Sequence, residues 1–106
     1  MKRVLIVAGI TACFLSVPAF ADSQDGMANA KKAGCLNCHA VDMKLVGPAY
    51  KEVAAKYKGD ATAEAKLIKK VTEGGSGNWG SMPMPSQKGR MTDAELKVTV
   101  GWILSL

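Results

Sequence analysis

Cys35-Leu36-Asn37-Cys38-His39 reads C-x-x-C-H, the attachment signature of a c-type haem. Two thiols at this spacing can each add to one haem vinyl group and hold the macrocycle by two thioether bonds. The imidazole that follows directly can rise to the iron as its proximal ligand. Other readings of C-x-x-C need surroundings that this chain does not supply. A thioredoxin-like redox pair wants a βαβ context, and no such pattern occurs. A structural zinc site wants four Cys or His ligands. Beyond the leader described next, the chain offers two cysteines and one histidine.

The first residues have the layout of a secretory signal peptide. Lys2 and Arg3 form a basic start, Val4 to Val17 is apolar, and Ala19-Phe20-Ala21 is an A-x-A cleavage site followed by the polar run Asp22-Ser23-Gln24-Asp25. The expected organisation is therefore a cleaved leader over 1–21 and one domain over 22–106. The apolar run is short for a membrane span and no stop-transfer flank follows it, so no stable membrane insertion is expected of the mature chain. Ile10-Thr11-Ala12-Cys13 also resembles a lipoprotein processing box. The residues after Cys13 stay apolar where a lipoprotein normally turns polar, so that reading ranks second.

Cleavage after Ala21 leaves 85 residues, with 12 basic and 9 acidic side chains. Two haem propionates would cancel most of this small excess. Arg90 is then the only arginine and aromatics are few, which argues against nucleic-acid binding. A chain of this length sits near the lower limit for a self-sufficient core. A buried porphyrin would supply the large apolar body that the side chains lack, and the apoprotein is expected to be largely unfolded.

Helical periodicity runs through the mature chain. Residues 25–34 suggest a short helix with Met27, Ala30 and Ala33 on one face and Gly34 as its stop. Tyr50 to Tyr57 reads as a second helix, with Val53, Ala54 and Tyr57 inward. Thr62 to Glu73 reads as a third, with Ala61, Ala65, Ile68 and Val71 or Thr72 inward and Lys66, Lys69 and Lys70 on a solvated face. Gly74 to Gly80 has the composition of a flexible linker, but Trp79 argues against that reading. Thr92 and Glu95 form a capping box, with Met91 and Leu96 as its hydrophobic staple. The helix they open runs to about Ser105, with Leu96, Val100, Ile103, Trp102 and Leu106 inward. The fold class is all-α, with three to five helices wrapped around one covalently attached haem.

An iron with one imidazole needs a further ligand or keeps an open position. No second histidine remains after His39, so a Met thioether is the candidate. Met84 stands between Pro83 and Pro85, which lock the backbone and remove donors. Met82 is the fallback, and both could instead be core filler. The second nitrogen of a ligating His wants an acceptor, and the Gly47-Pro48 turn is well placed to offer a carbonyl.

Together, C-L-N-C-H at 35–39, V-G-P-A-Y-K at 46–51, W-G-S-M-P-M-P at 79–85 and T-D-A-E…W-I-L-S at 92–105 resemble the class I cytochromes c. More narrowly, they resemble the short bacterial kind that shuttles electrons in the periplasm. The resemblance implies one haem c, attached through Cys35 and Cys38, with His39 proximal and Met84 distal. It implies that Pro48 orients His39 and that Trp79 reaches a propionate, with Lys70 a looser match to a basic residue near a propionate. Gln87 is nearest to where relatives place an Asn beside the axial sulfur, but Ser86 to Arg90 looks longer than in many relatives, and no role is assigned to it. The implied function is electron carriage, without enzymatic activity, from a membrane cytochrome complex to a nitrite reductase, oxidase or peroxidase. A five-coordinate haem enzyme or gas sensor is the alternative, and it would require Met84 not to bind.

Overall fold

The computed structural model describes residues 22–106 and, before them, Gly9 and Ala12 only. The rest of the expected leader, Cys13 included, lies outside the described residues. Four α-helices follow in order: α1 (Asp22–Lys32), α2 (Tyr50–Lys56), α3 (Ala63–Glu73) and α4 (Asp93–Leu104). A 3₁₀ turn at Cys35–Asn37 carries the haem motif. Among the described residues there is no strand, only an isolated antiparallel bridge between Gly75 and Met84. The all-α expectation holds.

Helix α4 is the hub against which α1, α2 and α3 all pack. Its inner face carries Leu96, Thr99, Val100, Trp102 and Ile103, all buried. Thr99 was not expected inward. Its hydroxyl donates to the Glu95 carbonyl at 2.7 Å, so the polar group is satisfied inside its own helix. Leu106 departs from expectation in the other direction: it follows the end of α4 and is exposed. The capping box forms as read, with Glu95 N–H on Thr92 Oγ1 at 3.1 Å and Thr92 N–H on Glu95 Oε2 at 3.0 Å.

Helix α1 begins three residues earlier than expected, and one residue of its expected packing face is different. Met27 is exposed, while Gly26, Ala30 and Ala33 are buried. The reason is the closeness of α4. A Cβ on residue 26 would fall 2.3 Å from Trp102 Cβ and 2.6 Å from its Cγ. The contact is built from the smallest residues at i, i+4 and i+7, and apolar size alone did not point to that face. Gly34, at φ 82°, then turns the chain sharply into the haem motif.

Helix α3 is rotated relative to its expected face. Ala61 and Ala65 are exposed, Ala63 is buried, and Leu67 packs on the core. Asp60 sets the start of this helix. Its Oδ1 accepts from Thr62 N–H at 2.8 Å and from the Thr62 hydroxyl at 2.6 Å, and Lys66 Nζ lies 3.0 Å from Oδ2. These bonds, those from Thr62 first, hold the Asp60 carboxyl down at about 2.

Two outcomes follow from this packing. Gly26→Ala should destabilise the protein by about 1–3 kcal/mol, because Trp102 and the backbone must shift. Gly101→Ala, at an exposed α4 position where a Cβ meets nothing within 4 Å, should stabilise it by about 0.5–1 kcal/mol. Denaturant unfolding of the two variants checks both signs. Acid unfolding tests Asp60. A carboxyl depressed on folding contributes stability above its unfolded value, and that contribution is lost as pH falls from 3.8 towards about 2. Asp60→Asn should therefore be less stable than wild type at neutral pH, with the gap closing across that window.

Candidate haem site

A largely apolar cavity of about 400 Å³ lies among the described residues. Its wall includes the haem-motif residues Cys35, Cys38 and His39 at one place and Met84 at another. Leu67 and Val71 of α3 and Leu96, Val100 and Ile103 of α4 complete an aliphatic lining. Every residue named in the sequence reading as a haem contact (Cys35, Cys38, His39, Pro48, Trp79, Met84) borders this one space, as do Lys70 and the fallback Met82.

The 3₁₀ turn places the two sulfurs and the imidazole locally, through His39 N–H on Cys35 O at 3.0 Å and Cys38 N–H on Cys35 O at 3.2 Å. Gly47 N–H then bonds Cys38 O at 2.8 Å, which folds the 40–48 segment back over the motif. That return brings the Pro48 carbonyl to 2.8 Å from His39 Nδ1. With Nδ1 as donor, Nε2 is left as the free lone-pair nitrogen, the tautomer a metal ligand needs. Burial pushes the Cys35 thiol up, partly offset by a hydrogen bond from Tyr50. Burial, with Cys35 beside it, pushes the Tyr50 hydroxyl up as well, so Tyr50 stays a neutral donor.

Met84 is brought to the cavity by a different device. Gly75 N–H bonds Met84 O and Met84 N–H bonds Gly75 O, both at 2.9 Å. Residue 74 lies still closer: a Cβ there would be 2.4 Å from Met84 O and 2.7 Å from Ser86 N, and the residue sits at φ 73°. Glycine is required at 74 on both counts. The Gly74–Gly80 segment is therefore not a linker; its first two residues are the bed on which the methionine segment lies. Further bonds tie that segment to the end of α3, from Ser86 Oγ to Thr72 O at 2.6 Å and from Gln87 N–H to Val71 O at 3.0 Å. The Gln87 side chain turns back to Pro85 O at 3.0 Å. Met84 is half-buried, whereas Met82 is 66% exposed.

Trp79 lines the cavity and is 40% exposed. Lys56 of α2 fastens it: Nζ donates to Asn78 O at 2.8 Å and lies 4.4 Å from the Trp79 ring centroid, a cation–π contact. In the sequence Lys56 is legible only as a charge on the polar side of a helix. Lys70 is half-buried and borders the cavity instead of lying on the outer face of α3.

Among the described residues no group of three or more His, Cys, Asp or Glu side chains could hold a metal ion by itself. The available donors are one imidazole, two half-buried Cys sulfurs and thioethers. They sit around an apolar space with an indole and a lysine among its lining residues. This set fits a covalently held haem and does not make a protein-only metal site.

The cytochrome c family model matches residues 23–106. Cytochrome c-551 of Allochromatium vinosum is 53% identical over 77 residues, 73% of this chain and 81% of that protein. Cytochrome c-552 of Hydrogenobacter thermophilus is 46% identical over 106 residues, 100% of this chain and 99% of the relative. The crystal structure of wild-type Nitrosomonas europaea cytochrome c552 superposes with a TM-score of 0.71 at 44% identity, covering 76% of this chain and 98% of the other. The prosthetic group is accordingly one covalently attached haem c. The chain belongs to the cytochrome c family, with class I relatives of the short bacterial c-551 and c-552 type.

Proposed function

We propose that this protein is a periplasmic single-haem electron carrier and not an enzyme. It would take electrons from a membrane cytochrome complex and pass them to a terminal reductase, oxidase or peroxidase. Its homologues are small electron-carrier cytochromes, which makes redox proteins the partners. The leader reading over 1–21 supports export to the periplasm, and no helix among the described residues is long and apolar enough to cross a membrane.

The haem, when bound, supplies an iron that cycles between ferric and ferrous states. Cys35 and Cys38 would carry the thioether links, and His39 and Met84 would hold the iron. The Pro48 carbonyl holds His39 Nδ1–H and thereby raises the basicity of the nitrogen facing the metal. The aliphatic wall keeps water out, which disfavours the charged ferric form and, with the Met–His ligand pair, raises the reduction potential. Trp79 offers its indole N–H to a propionate, and Lys70 offers a cation on the same wall.

The observation that carries this reading is the reciprocal backbone pair between Gly75 and Met84, which fixes Met84 half-buried at the cavity, whereas Met82 on the same lining is 66% exposed. With both His39 and Met84 on the iron no position would be left for substrate or gas, and the chain's task would be to hold both oxidation states in nearly one geometry. Met84→Ala should open the iron to added carbon monoxide and lower the midpoint potential. Met82→Ala should change neither. Redox titration and ferrous carbon monoxide binding distinguish them; the opposite pattern would assign the sulfur to Met82, and carbon monoxide uptake by wild type would favour an enzyme or sensor.

A further inference from the structure

Three contacts on the His39 ring come from one tetrapeptide, residues 47–50. The Pro48 carbonyl sits 2.8 Å from Nδ1. A Cβ on residue 47 would lie 2.4 Å from Cε1, 2.8 Å from Nδ1 and 3.0 Å from Nε2. Both nitrogens are nearly as close as the carbon between them, so the Gly47 backbone lies against the face of the ring and not beyond its edge. Gly47 is not among the glycines of positive φ. Its lack of a side chain is therefore demanded by the imidazole and not by the backbone conformation. Tyr50 stacks on the same imidazole, with centroids 5.1 Å apart and planes 18° from parallel.

Tyr50 is itself held firmly. Its ring meets Trp102 edge-on at 5.6 Å, and its N–H bonds Ala40 O at 2.9 Å. A hydrogen bond at Nδ1 is a restraint at one atom and leaves the ring free to rock about it. Flat contacts against the ring remove that remaining freedom. We propose that Gly47 and Tyr50 are positioning residues that set the rotation of the His39 ring plane about its bond to iron. The proposal rests on the reading of His39 as the proximal ligand. In a low-spin ferric haem the azimuth of a planar ligand decides how unpaired spin spreads round the porphyrin rim. The proton shifts of the haem ring methyls report that spread.

The experiment compares ferric proton NMR spectra of the wild-type holoprotein with Gly47→Ala, Tyr50→Leu and Tyr50→Phe, each with its absorption spectrum. Gly47→Ala and Tyr50→Leu should change the order or spread of the ring-methyl shifts while the absorption spectrum stays low-spin. Tyr50→Phe, which keeps the stack and loses only the hydroxyl, should retain the wild-type pattern. Wild-type methyl shifts in both Gly47→Ala and Tyr50→Leu would overturn the proposal and leave ligation by His39 untouched. A changed pattern in Tyr50→Phe would overturn it for Tyr50, by assigning the effect to the hydroxyl. If Tyr50→Leu does not fold, Gly47→Ala decides alone. A wild-type absorption spectrum without low-spin haem would instead defeat the ligand assignment beneath it.

Discussion

The site is assembled from two distant parts of the chain, and the pair of 2.9 Å hydrogen bonds between Gly75 and Met84 is what fixes the second of them. The haem motif and the Pro48 turn are local: residues 35–48 organise one side of the cavity by bonds among near neighbours. Another part of the lining is a proline-flanked segment with little secondary structure of its own. It takes its position from glycine backbone at the end of α3, where no side chain could fit between the two strands of chain. Without that approach Met84 would be one more thioether in a loop, as Met82 is.

The same economy appears in the packing. The core cluster contains Ala30, Tyr50, Val53, Trp102 and Ile103, a small set for four helices. Several faces of α3 and α4 end in the cavity instead of against each other, so much of the apolar surface of the helices is organised around the space where the porphyrin belongs. Burying that surface against the porphyrin, at about 25 cal/mol per Å² of apolar area, is a large contribution for a chain of this size. Where helices do meet directly, as α1 and α4 do, small residues bring them close and the Trp102 side chain fills the contact.

Much of the fold and most of the candidate site could be read from residue order. C-x-x-C-H names its chemistry because the spacing serves one local geometry, and the Thr92–Glu95 box marks a helix start by its own hydrogen bonds. What escaped was decided by neighbours distant in sequence. The inward face of α1 is glycine and alanine because Trp102 presses on it, so a search for larger apolar residues picked Met27. The inward face of α3 departs from the expected one because Leu67 joins the expected Val71 at the cofactor cavity and Lys70 borders it too, which blurs the usual apolar stripe. Gly47, Gly74 and Gly75 looked like turn or linker residues. Their roles come from what approaches them, and nothing in one sequence reveals an approach between segments. Lys56 was likewise legible only as a surface charge until Trp79 was placed beneath it.

The proposed function depends on an iron that His39 would hold from the motif and Met84 from the loop, so that it would exchange electrons and take no other ligand. The most direct measurement is the absorption spectrum of the exported wild-type protein near neutral pH, in both oxidation states. A low-spin ferric spectrum bearing the weak methionine-to-iron charge-transfer band is the result this structure predicts. A high-spin ferric spectrum, or a low-spin one lacking that band, would contradict it.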